Sequence, residues 1–195
     1  MLNPIQRSES LTDQALRRIR DLIIDGSVPL GAQLSEAVLA AEMGISKTPV
    51  REALVRLQSE GLVEVIPQRG SYVFRLDDAQ VAEVCRYRVL IESAALGEAV
   101  QRSPQALVAG LRASVERMRA AHDAHDLAAL PRLDQEFHET IIEHCGNAYL
   151  RNAYGLVSPI IRSLRSRLPV ENLRVDHCQE NHAAILQLIE SGDAA

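Results

Sequence analysis

The chain has 195 residues and a formal net charge of −5, with 47% hydrophobic and 24% charged residues. That is too apolar for a disordered chain and long enough to bury one sizeable core or two small ones. The longest apolar runs, such as Leu22-Ile23-Ile24, fall far short of the roughly 20 residues needed to cross a bilayer. The first ten residues hold no apolar signal core, so the expectation is a soluble, cytoplasmic protein without a membrane partner. Three cysteines, Cys85, Cys145 and Cys178, with no C-x-x-C spacing, argue against a disulfide framework or a zinc ribbon. Aromatic residues make up only 3% and there is no Trp, so helix formers dominate.

Residues 1–10 carry no periodic pattern and are expected to be a flexible N-terminus. The first helix is predicted from Leu11, Ala15, Ile19, Leu22 and Ile23, and it stops at Asp25-Gly26. After a turn at Val28-Pro29-Leu30-Gly31, Ser35 is placed to cap a helix that carries Val38, Leu39 and Met43 and ends at Gly44. Ser46 caps the next, with Pro49 in its first turn and Val50, Ala53, Leu54 and Leu57 facing inward. Leu62–Ile66 and Ser71–Phe74 read as strands joined by Pro67-Gln68-Arg69-Gly70. This order is that of a winged helix-turn-helix over residues 11–75.

Its charge is balanced, with nine bases and nine acids in residues 1–75. Within residues 46–75, five bases (Lys47, Arg51, Arg56, Arg69 and Arg75) face three acids. Lys47, Thr48 and Arg51 point outward near the start of the third helix. Its free N–H groups and positive dipole end suit a phosphate or a base edge there. Taken alone, Arg51 is equally well a solvated surface charge.

The segment S-E-A-V-L-A-A-E-M-G-I-S-K-T-P-V-R-E-A-L-V-R-L-Q-S-E-G-L-V-E-V-I-P-Q-R-G-S-Y-V resembles the DNA-binding domain of GntR-family bacterial transcription regulators. The S-x-T-P-V-R-E-A-L core, E-G-L-V and the P-x-R-G wing carry the resemblance in combination. It implies that Ser46, Lys47, Thr48 and Arg51 face double-stranded operator DNA and that Arg69 and Gly70 touch its minor-groove side. Many relatives carry Arg where Ala37 stands, which implies one contact fewer here.

Residues 76–78 read as a linker, and residues 79–195 as an antiparallel α-helical bundle, making the whole chain mostly α. A first helix places Val81, Val84, Cys85, Arg88, Glu92 and Ala95 on one face. The second starts at Ser103-Pro104 and carries Leu107, Leu111, Val115 and Met118. The third starts near Asp126, buries Leu130, Leu133, Phe137 and Ile141, and ends at Gly146-Asn147. The fourth spans about 148–168, with a kink expected at Pro159. The fifth carries His182, Ile185, Leu186 and Ile189.

Asp134 and His138, four residues apart, lean toward the bundle interior, and His182 lies on an apolar face. A carboxylate and imidazoles meeting inside a bundle can form a metal site. The same spacing is equally that of an ion pair or a satisfied core histidine. Arg88 sits where a cation is costly unless paired, either with Glu92 one turn on or with a carboxylate ligand.

Arg88-x-x-x-Glu92, L-D-Q-E-F-H-E-T-I-I-E-H-C-G-N-A-Y-L and E-N-H-A-A-I-L-Q-L-I-E-S-G-D-A together resemble the ligand-sensing FCD domain of the FadR subfamily of GntR regulators. In that family an Asp and three His hold a divalent metal, and a small carboxylate docks on the metal and a nearby Arg. The resemblance maps Asp134, His138 and His182 onto three ligand positions and Arg88 onto the effector-binding Arg. The fourth His would lie about 20 residues past His182, beyond Ala195, so the domain is expected to be C-terminally incomplete. Water, the effector or Cys178 would fill that position around a zinc, nickel or manganese ion.

The reading is a metabolite-responsive regulator, a repressor, that binds a palindromic operator as a homodimer and senses a small organic acid. It is not an enzyme. The alternatives are a metal-dependent enzyme using Asp134, His138 and His182, and a DNA-binding thiol redox sensor using Cys85, Cys145 or Cys178. Neither Glu136 nor Glu139 faces the ligand side, so the enzyme reading lacks a general base.

Overall fold

The computed structural model describes residues 9–167 and 175–192, the latter with side chains from 180 onward. The expected flexible segment 1–10 lies almost wholly outside these residues, as do Leu168 and the side chain of Cys178. The chain divides into two compact units, Met1–Leu76 and Asp77–Ala195.

In the first unit, α1 (Leu11–Ile24) starts at Ser10, whose hydroxyl accepts from the Asp13 N–H at 3.1 Å. A two-residue strand β1 (Gln33–Leu34) follows, then α2 (Glu36–Met43) and α3 (Lys47–Ser59). Gly44 closes α2 at φ +67°, a left-handed conformation that bends the chain sharply into α3. Ser46 occupies the cap position of α3, but its hydroxyl makes no capping bond.

The apolar stripes meet as the spacing requires. Ile19 and Ile23 of α1 are fully buried, as are Val50, Ala53 and Leu57 of α3 and Leu62 after it. Polar clamps lie at the rim of that contact. Arg20 pairs side-on with Glu60 at 2.9 and 2.6 Å, and Arg56 with Asp13 at 2.6 Å.

The wing departs from the expected two-stranded hairpin. β2 (Val63–Ile66) and β3 (Gly70–Val73) pair antiparallel, and β1 adds to the far edge of β3, giving the order β1-β3-β2. At the tip, the Arg69 N–H bonds to the Ile66 carbonyl at 3.0 Å, with Gln68 at φ +63°. Pro67 at the second turn position and a positive φ at the third are the marks of a type II turn.

Among its described residues the second unit consists of helices and short connections, with no strand. α4 (Asp78–Arg102) starts with a reciprocal capping box between Asp77 and Gln80. α5 (Pro104–Asp123), α6 (Leu130–His144), α7 (Ala148–Arg165) and α8 (Val175–Ser191) follow. α6 begins four residues later than Asp126, because Asp126 instead organises a turn by accepting from the Ala129 N–H. Ala95, Ala99, Leu107, Leu111, Leu133, Phe137, Ile141, Leu186 and Ile189 form one core. Cys85 was expected on the inward face of α4 but is exposed, because α4 is fully buried only at Ala95 and Ala99. No described helix is long and apolar enough to cross a membrane.

Candidate nucleic-acid interface and metal centre

On the first unit, Ser46, Lys47, Thr48 and Arg51 are all exposed at the N-terminal end of α3, and Arg69 and Gly70 are exposed at the wing tip. The uncapped end of α3 adds free backbone N–H groups. Gly70 stands at φ +111°, and a Cβ there would press on the Gln33 amide at 3.3 Å. Gln33 in turn donates to the Arg69 carbonyl at 3.2 Å, so β1 braces the wing tip.

Arg51 is not simply a solvated surface charge, because it is paired with Glu36. Its Nε lies 3.0 and 3.2 Å from the two Glu36 oxygens, and its Nη2 lies 2.8 Å from Oε2. Glu36 begins α2, 15 residues earlier in the chain, and only the helix-turn-helix bend brings the two together. Hydrogen bonding to Arg51 lowers the Glu36 carboxyl below its ordinary value and raises the guanidinium.

In the second unit, Asp134, His138 and His182 converge, with one ligand atom from each lying within 4.8 Å of the others. The two imidazole Nε2 atoms are 3.4 Å apart. Asp134 Oδ2 lies 3.7 Å from His138 Nε2, and Oδ1 lies 3.6 Å from His182 Nε2. Tetrahedral ligands on a zinc ion at 2.0–2.1 Å are separated by about 3.3 Å, so these donors fit such an ion. His138 Nδ1 faces Glu92 Oε2 at 3.0 Å, which leaves the Nε2 lone pair for the site. Burial holds His182 down to about 3 and keeps His138 below the ordinary histidine value despite Glu92. Both imidazoles are therefore in the neutral form that coordinates a metal.

Three features of this centre were not expected. Arg165, in the last turn of α7, forms an ion pair with Asp134 Oδ2. Glu92, besides pairing with Arg88 at 2.6 Å from its Nε as the spacing of four allows, also reaches His138. Burial raises the Glu92 carboxyl, but His138 and Arg88 together outweigh this and leave it lowered. Gln135, also buried, reaches Glu139, Tyr154 and Ser158 at 2.8–3.1 Å, and burial pushes the Tyr154 hydroxyl up to about 12.

Arg88 lies mostly buried, and its Nη2 has no hydrogen-bond partner among the described residues. Glu136 is engaged by Arg117 at 3.0 Å and by Arg132, and Glu139 by Gln135, so neither serves the metal-ligand cluster. Cys145 is buried and its thiol donates to the Ile142 carbonyl at 3.0 Å.

A winged helix-turn-helix joined in one chain to a helical bundle with a charged interior is the architecture of a bacterial transcription regulator. Comparison with known proteins agrees. Residues 11–73 match the model of bacterial regulatory proteins of the gntR family, and residues 83–195 match the FCD domain. The chain belongs to the GntR family, whose members are DNA-binding transcription regulators and not enzymes.

It is 36% identical over 131 residues to an uncharacterised HTH-type transcriptional regulator of Agrobacterium vitis, covering 66% of this chain and 77% of that one. It is 30% identical over 182 residues to the gluconate operon transcriptional repressor of Bacillus subtilis, covering 91% and 74%. The E. coli protein McbR/YncC has a similar structure, with a TM-score of 0.74, 26% identity, and 96% and 89% of the two chains covered.

Proposed function

We propose that this regulator is a repressor that binds a palindromic operator as a homodimer. In this reading Ser46, Lys47, Thr48 and Arg51 enter the major groove while Arg69 and Gly70 of the wing reach the minor-groove side. The helical unit senses a small organic acid, with a divalent metal held by Asp134, His138 and His182. Effector binding favours a dimer geometry that fits the operator poorly and so shifts the population off DNA. The gluconate operon repressor among its relatives supports the repressor role.

The observation that carries the sensory half is the buried Arg88 Nη2. An N–H of a guanidinium left without an acceptor inside a bundle is costly, and a carboxylate of the effector supplies that acceptor. Asp134, His138 and His182 provide three donors for a metal, which would add a Lewis-acidic point for the same anion. Glu92 orients His138, and Arg165 neutralises Asp134 when no other cation is present.

Two expected outcomes test this. Replacing Arg51 with alanine is expected to cost about 1–3 kcal/mol on the operator and to relax preference at one base pair per half-site. Equal losses on operator and random DNA, read by fluorescence anisotropy, would make Arg51 a phosphate contact only. Chelator-stripped protein titrated with zinc or nickel is expected to take up metal at micromolar concentrations, and His182→Ala is expected to bind far less. Equal uptake by both, or uptake by neither, would leave the cluster as a buried ion pair.

A further inference from the structure

Glu36 is out of place if the surface around α3 serves only to hold phosphates. A carboxylate beside the DNA backbone is repelled by it and weakens binding to every sequence alike. Glu36 nevertheless opens α2 within hydrogen-bond distance of the residue assigned to base reading. The geometry of the pair gives it a purpose. Glu36 takes the side-on edge of the guanidinium, the edge formed by Nε and Nη2. The end-on edge, formed by one proton each of Nη1 and Nη2, remains open, and the Arg51 side chain is 66% exposed while that of Glu36 is 29% exposed. The end-on edge is one of the two bidentate forks that match guanine O6 and N7.

We propose that Glu36 is a specificity-determining positioning residue: from α2 it clamps the side-on edge of Arg51 and presents the end-on edge to one guanine per half-site. This rests on the reading that Arg51 contacts a base. A free Arg side chain samples many rotamers and can swing to a neighbouring phosphate, which binds any sequence. Held by Glu36, it has lost that freedom before DNA arrives, so less is lost on reading a base. The carboxylate also places a negative charge where a non-cognate backbone would approach. The clamp therefore raises discrimination from both sides, by favouring the matched guanine and by disfavouring non-specific contact.

The test uses the full chain, a duplex recovered by selection from a random-sequence pool, and a shuffled duplex of equal length, at one salt concentration. Glu36→Gln removes the charge with little change in shape, and Glu36→Asp retains a carboxylate. Glu36→Gln is expected to bind the shuffled duplex equally or several-fold more tightly and the selected duplex about tenfold more weakly. The loss should fall on the same base pair as for Arg51→Ala, with no further loss in the double variant, and Glu36→Asp should restore part of the discrimination.

Equal tightening on both duplexes would overturn the proposal and reduce Glu36 to a repelling surface charge. Loss of discrimination at a different base pair would also overturn it. If Arg51→Ala itself leaves base preference unchanged, the base-reading assignment fails first. If Arg51→Ala relaxes preference and Glu36→Gln does not, only the role of Glu36 falls. Thermal unfolding of each variant separates a misfolded α2 from a lost clamp.

Discussion

Phe137→Ala is expected to destabilise the helical unit by about 3–5 kcal/mol, the range for truncating a fully buried aromatic side chain. Phe137 is 0% exposed at the centre of the bundle core. Its ring centroid lies 4.2 Å from that of His182 and 5.6 Å from that of His138. The substitution therefore removes both core volume and the surface against which the two imidazoles are held. Chemical denaturation followed by circular dichroism should show the loss. Metal uptake by the folded fraction should weaken with it, because two of the three donors lose their support. A change below about 1 kcal/mol would mean that the core around Phe137 is looser than the structure shows.

Acid is expected to act on the same place. The folded protein holds His182 at about 3, through burial first, reinforced by His138 once that imidazole is protonated and by the Arg165 and Arg88 cations, against an ordinary value of 6.5. Below pH 6.5 the unfolded chain therefore binds a proton that the folded one refuses. The contribution is fully present above pH 6.5 and is lost progressively as pH falls toward the folded value. At about 1.4 kcal/mol per pH unit, His182 alone accounts for about 3 kcal/mol between pH 6.5 and 4.5. His138, also lowered by burial, acts in the same direction. Thermal melts of the wild type across that window should fall steeply, and those of His182→Gln less so. Parallel curves would mean that His182 is not held neutral.

The helices of both units were legible because their apolar residues recur at the helical period and their ends carry recognisable caps, such as Ser35 and Gly44. Asp134 and His138 were legible because a spacing of four places them on one face. What the sequence did not reveal depends on long-range approach. β1 has two residues, too few for an alternating pattern, and exists only because β3 offers it an edge. Glu36 meets Arg51 across a turn, and neither position signals the other. Arg165 reads as a cation suited to the C-terminal turn of its helix, and nothing local reveals that it reaches an aspartate 31 residues earlier. The start of α6 did have a signal, in Pro131 within its first turn, a position that proline favours. Cys85 was misplaced because the spacing marks a stripe on α4 but not how much of that stripe is covered.

The central claim is that α3 and the wing read a defined DNA sequence. The most direct measurement is to incubate the full chain with a random-sequence duplex pool, recover the bound fraction over several rounds, and sequence it. Two inverted half-sites are expected to be enriched, each containing a guanine whose enrichment disappears when the selection is repeated with Arg51→Ala. A bound fraction with the composition of the input pool, or a motif that Arg51→Ala selects equally well, would contradict it.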